Sequence, residues 1–242
     1  MNPGRATAGP TSALRARRGL LLVAASSAVI VVAAIVGVSL TLGGRTPNQG
    51  PGTTLPGAPS VVAAFRGVPQ HGLELGSPTA PTTLVEYLDL QCPWCGVFAR
   101  ETFPTVVRRF VRTGQVRVEL RPLDFVGSDS VRGRNALFAA ARQDKAFQFA
   151  ALLYAHQGPE NSGWLSADMV RADAASIPGL ASARVVAAGS SAATAARIDR
   201  QRAADGVTGV PTFFVKRRTE VGSGTMLVNP SEAELVSALR HA

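Results

Sequence analysis

The chain has 242 residues and a formal net charge of +9, from 25 lysines and arginines against 16 aspartates and glutamates. Four of those charges (Arg5, Arg15, Arg17 and Arg18) stand at the start, and the rest are scattered in short clusters such as Arg108-Arg109 and Lys216-Arg217-Arg218. Without an aromatic-basic ladder or a groove-reading motif, such clusters are solvated helix faces and turns, which argues against a nucleic-acid partner.

Residues 1–18 are polar and basic, and no charged residue occurs from Gly19 to Gly44. A helix needs about 20 apolar residues to cross the hydrocarbon core, so residues 19–42 are expected to form a transmembrane anchor. The basic flank precedes the apolar run, which places residues 1–18 in the cytoplasm and the remainder outside. A cleaved signal peptide also begins with basic residues, but its apolar core is usually only about 7–15 residues. Length therefore favours an uncleaved, single-pass signal-anchor in the cell membrane. With no cysteine just after the segment, lipoprotein anchoring is excluded. Residues 43–59 are rich in glycine and proline and are expected to be a linker. Residues 60–242 then supply enough chain for one well-buried core.

Next comes Thr82 to Leu90, an apolar, partly β-branched run that predicts a strand. It leads into Cys92-Pro93-Trp94-Cys95, which holds both cysteines of the chain. Beyond them Val97, Phe98, Phe103, Val106, Val107 and Phe110 recur at helical spacing. Pro93 suits the first turn of that helix, whereas Pro104 is expected to kink it or end it early. A zinc site needs four ligands, and His71, His156 and His241 lack ligand spacing. Haem attachment needs a histidine directly after the second cysteine, where Gly96 stands. A structural disulfide closing so short a loop would stabilise little. The remaining reading is a redox pair: Cys92 at a helix N-terminus as the nucleophile, and Cys95 one turn further in as the resolver.

Gln115–Leu120 predicts a second strand, followed by helical patterns over Ser130–Arg142, Lys145–His156, Ser166–Ser176 and Ala181–Ala204. The run Thr208-Gly209-Val210-Pro211-Thr212-Phe213-Phe214-Val215 opens another strand, and Thr225–Val228 and Glu232–Arg240 predict a last strand and helix. Together with Val85-Glu86-Tyr87-Leu88-Asp89-Leu90-Gln91-Cys92-Pro93-Trp94-Cys95, these features resemble the DsbA-like thiol–disulfide oxidoreductases of the thioredoxin superfamily. The resemblance covers roughly residues 72–240 and implies an α/β thioredoxin-like fold with an inserted helical domain at about 124–205.

It also implies that Val210–Pro211 is a cis peptide, with the Val210 backbone beside Cys92 where an extended substrate segment can pair as an added strand. Pro93 and Trp94 would complete the substrate-binding surface. Glu86, matching an acidic residue buried behind the cysteines, would take the proton of Cys95 during resolution, with Asp89 the weaker candidate. No cofactor or metal is implied. Cysteine-containing exported proteins would be the substrates and a quinone-linked membrane reoxidase, DsbB-like or vitamin K epoxide reductase-like, the partner. Isomerases of the superfamily dimerise through an added domain for which residues 60–80 look too short, so a monomer is expected. The most oxidising relatives carry histidine where Trp94 stands. An indole offers no positive charge, so a potential between about −120 and −270 mV is expected. A reductase or isomerase using the same cysteines, and a non-catalytic binding module, are the competing readings.

Overall fold

The computed structural model describes residues 54–187 and 191–242. The expected basic tail, the apolar segment and most of the linker lie outside the described residues. Among the described residues no helix is long and apolar enough to cross a membrane.

The folded unit begins earlier than the expected boundary at residue 60. Leu55 is buried, its backbone N–H donating to Ser176 Oγ at 2.8 Å. Helix α1 (Ala58–Phe65) follows, buries Ala58 and Phe65, and carries Pro59 in its first turn. A proline there gives up only an N–H that would lack a partner anyway. Two strands of two residues each, β1 (Gln70–His71) and β2 (Glu74–Leu75), make a small hairpin.

The sheet has six strands in the order β1-β2-β4-β3-β5-β6. Its centre is β3 (Thr82–Leu88), parallel to β4 (Val116–Pro122) and antiparallel to β5 (Thr212–Arg217). All seven residues of β3 are buried, as expected for a strand covered on both faces. Strand β4 alternates instead, burying Val116, Val118 and Leu120 while Arg117, Glu119 and Arg121 stay partly exposed. Strand β6 (Thr225–Val228) closes one edge against β5. One face carries Leu84, Leu88, Val118, Leu120, Phe213 and Val215 in the larger core. The other packs Val85, Tyr87 and Phe214 with Ile198 in a smaller one.

Helix α2 starts at the cysteine pair, with Cys92 as its N-cap and Cys95 in its first turn. It is α-helical over Pro93–Val97 and Phe103–Val106, with π turns over Phe98–Thr102 and Val107–Val111. Pro104 does not end it. The wide turn just before it has Phe103 N–H bonded to Phe98 O, and this extra residue makes room for a ring that cannot donate and would crowd the preceding carbonyl.

Between β4 and β5 lies the helical insertion: α3 (Ser128–Ala141), α4 (Ala146–Ala155), α5 (Ala167–Ala175), α6 (Ser182–Val186) and α7 (Ala192–Ala204). The single helix expected over Ala181–Ala204 is therefore two helices, with the poor helix formers Gly189-Ser190-Ser191 in the sequence between them. Helix α8 (Glu232–Arg240) ends the chain's regular structure, burying Leu235, Val236 and Leu239.

Candidate redox site

The chain leaves β3 through Asp89, Leu90 and Gln91, all buried, and enters α2 at Cys92. Cys92 is the N-cap, with φ −66° and ψ 120°, and Pro93 begins the first turn. The Cys92 carbonyl accepts the first intrahelical bond from Gly96 N–H at 3.1 Å. Both cysteines are free thiols, Cys92 5% exposed and Cys95 0%. The Cys92 thiol donates to the Val210 carbonyl at 3.4 Å, and Val210–Pro211 is cis. Strand β5 thus brings the second matched segment to the first across 118 residues of chain.

Electrostatics divide the two sulfurs. A hydrogen bond from the Cys95 thiol is the main reason the Cys92 pKa falls to about 7. Burial opposes the fall, the Cys95 and Trp94 N–H groups assist it, and the Asp89 charge opposes it. Cys95 moves the other way, pushed well above its ordinary value first by burial and then by its bond to Cys92. Near neutral pH one sulfur is ionisable and the other keeps its proton. That is the division of labour expected of an attacking thiol and a resolving thiol.

Glu86 is 4% exposed, and burial raises its carboxyl to about 8. Its charge adds to the forces holding the Cys95 proton. With Leu88, Phe98, Phe103 and Tyr154 it lines a cavity of about 20 Å³, room for one water. Asp89, the other acid near the cysteines, is fully buried, but its oxygens are occupied by the N–H groups of Gln91 (2.8 Å), Phe125 (2.7 Å) and Val126 (2.8 Å). It fastens the loop after β4 to the cysteine turn. Trp94 is 59% exposed and Phe125 46%.

The insertion adds polar groups that the sequence reading did not single out. Gln91 Nε2 donates to Ser130 Oγ at 2.9 Å, and Gln91 Oε1 accepts from Asn161 N–H at 2.8 Å. The Tyr154 hydroxyl donates to Asp89 O at 3.0 Å. Gln157 Nε2 donates to Leu90 O at 3.2 Å and Cys92 O at 3.0 Å. Each partner is at least 39 residues away in sequence, so no local pattern pointed to them.

Residues 70–225 match the protein-family model described as Thioredoxin. A probable disulfide bond formation protein D of Bacillus cereus is 29% identical over 98 residues, covering 40% of this chain and 45% of that protein. Disulfide bond formation protein D of Bacillus subtilis is 38% identical over 56 residues, covering 23% of this chain and 25% of that protein. The chain therefore spans less than half the length of these relatives. Among solved structures, oxidised BdbD from Bacillus subtilis superposes with a TM-score of 0.63 at 19% identity, covering 72% of this chain and 96% of that one. Chlamydia trachomatis DsbA gives 0.59 at 19% identity, covering 70% and 90%. At such identities the likeness is one of fold: a thioredoxin-like sheet with a helical insertion.

Proposed function

The chain belongs to the thioredoxin family, and from its site we propose that it is an extracytoplasmic thiol–disulfide oxidoreductase that introduces disulfides into exported proteins. One observation carries the reading: an acidified Cys92 thiol at a helix N-terminus, beside the Val210 carbonyl, with a proton-holding Cys95 behind it. The names of the Bacillus relatives, disulfide bond formation proteins, support the same chemistry.

In the oxidising direction the pair begins as a disulfide. A substrate thiolate attacks Cys92 Sγ, forming a mixed disulfide and expelling Cys95 as a thiolate. Glu86, protonated at neutral pH, supplies the proton that Cys95 takes up. A second substrate thiolate then attacks the mixed disulfide, expelling Cys92 as a stabilised thiolate. Two electrons pass from two substrate thiols to the cysteine pair, and a quinone-linked membrane reoxidase removes them. The Val210 backbone pairs with the extended substrate segment, and the exposed Trp94 indole provides an apolar contact. The uncharged indole keeps the potential between the strongly oxidising and reducing limits. Residues 19–42 anchor this monomer in the membrane, with the catalytic domain outside.

Substitution separates this from the alternatives. Cys92→Ser should abolish exchange, and Cys95→Ser should accumulate mixed disulfides whose partners mass spectrometry identifies. Alkylation trapping of the native chain in cells should find the pair mostly oxidised. A mostly reduced pair would transfer the reading to a reductase or isomerase. A Cys92→Ser protein with full biological activity would leave only a binding module.

A further inference from the structure

Gly96 occupies the first turn of α2, where glycine is a poor helix former. Its backbone is not in the left-handed region, so conformational freedom is not the reason for it. Space is. A Cβ at this position would fall well inside contact distance of Gln157 Oε1, at 3.1 Å from Gln157 Cδ and at 2.8 Å from Arg100 Nη1.

Gln157 follows α4 and reaches back 65 residues to the cysteine turn. Its one amide nitrogen bonds both Leu90 O and Cys92 O, bracketing the turn that delivers Cys92 to the helix. The Cys92 carbonyl therefore accepts two bonds, from Gly96 N–H along the helix and from Gln157 in the helical insertion. Gln157 is itself held on both sides. Before it, the Tyr154 carbonyl accepts from Arg100 Nη1 at 2.7 Å while the Tyr154 hydroxyl bonds Asp89 O. After it, Asn161 N–H bonds the buried Gln91 amide. A flexible side chain fastened at neighbouring points keeps one rotamer, so its bonds act as a fixed clamp.

We propose that Gln157, supplied by the helical insertion, is a positioning residue that tunes the redox poise of Cys92 by clamping its turn, and that residue 96 is glycine to admit the clamp. The inference rests on the redox reading of the pair and deepens it. The N–H groups of Trp94 and Cys95 stabilise a Cys92 thiolate only while they aim at its sulfur. Their aim depends on the turn that Gln157 brackets. When the clamp is released the reduced, thiolate-bearing form loses support, the disulfide form does not, and the pair becomes less oxidising.

The test uses the full chain and two readouts: pH titration of the Cys92 thiolate absorbance, and equilibrium with reduced and oxidised glutathione. Gln157→Ala should raise the Cys92 pKa and shift the equilibrium about tenfold toward the disulfide, about 30 mV for this two-electron couple. Gln157→Glu, which keeps the shape but places acceptors against two carbonyls, should shift it further in the same direction. Gly96→Ala should reproduce the Gln157→Ala shift by displacing the clamp, and should add little in the Gln157→Ala background. Unchanged titration and potential in both Gln157 variants, with only a lowered melting temperature, would overturn the proposal. So would a Gly96→Ala effect that adds in full to that of Gln157→Ala. Thiolate titration needs no turnover. A wild-type chain without exchange activity would thus sink the redox reading while still deciding what Gln157 does.

Discussion

At the scale of single residues, two buried acids flank the cysteines and geometry assigns them opposite duties. Asp89 meets three backbone N–H groups, two of them from Phe125 and Val126, which are 36 and 37 residues away. Glu86 faces apolar side chains and a one-water cavity, and burial alone lifts its carboxyl to about 8. Sequence could place both acids near the pair, and the mid-strand position of Glu86 already favoured it. Two of the three bonds that occupy Asp89 were invisible because their donors, Phe125 and Val126, lie on another strand's exit loop. Replacing Glu86 with glutamine removes the carboxyl that, in the proposed mechanism, supplies the Cys95 proton and leaves Cys92 in place. Glu86→Gln should therefore slow the first exchange, in which Cys95 leaves, on the order of 100-fold while preserving the second, in which Cys92 leaves. Stopped-flow measurement of the two phases checks this, and equal slowing of both would refute it. Stability should respond as well. The folded state raises the Glu86 pKa, so it binds the proton more tightly than the unfolded chain does, and stability is lost as pH rises from about 4.5 through about 8. The glutamine variant should accordingly gain melting temperature over the parent at pH 9 and almost none at pH 4.

At the scale of elements, agreement between sequence and structure follows the strength of local signals. Strand β6 and helix α8 fall at the expected residues because turn chemistry and a cap bound them. Ser231 accepts from Glu234 N–H while the Glu234 carboxylate accepts from Ser231 N–H, a reciprocal capping box. Leu235, Val236 and Leu239 then cover the sheet beside Phe213 and Val215. Ser231→Ala should cost about 1 kcal/mol, read as a lower urea midpoint with an unchanged slope. Loss of slope instead would mean that α8 unfolds separately from the sheet. Helix α1 was hidden because Gly57 and Pro59 made its start look like linker. The apolar pair Val61 and Phe65, one turn apart, was the available signal, and Phe65 owes its burial to distant Phe103 and Phe147. Strands β1 and β2 are too short, at two residues each, for any alternation to show.

At the scale of the whole molecule, the helical insertion is more than a cover for the sheet. It supplies Ser130, Tyr154, Gln157 and Asn161 to the cysteine turn, tying the cysteine pair to the packing of a second layer. That layer is not optimised for stability throughout. Asp173, on α5, is fully buried, and neither carboxylate oxygen has a hydrogen-bond partner among the described residues. Burial pushes its pKa well above the ordinary aspartate value, so folding favours the neutral acid. The proton balance again favours acid. The folded state keeps a proton that the unfolded chain releases near pH 4, so stability falls as pH climbs from there toward the raised native value. Asp173→Asn keeps the shape and removes the ionisation. At pH 8 its free energy of unfolding should exceed the parent's, because asparagine has no ionisation for burial to suppress. The advantage should shrink steadily toward pH 4, where the parent carboxyl is protonated in both states. Paired urea titrations at pH 4, 6 and 8 measure that difference directly and cancel the parallel contribution of Glu86. A difference that stays flat with pH would mean that Asp173 is solvated or paired, and that the insertion packs without this penalty.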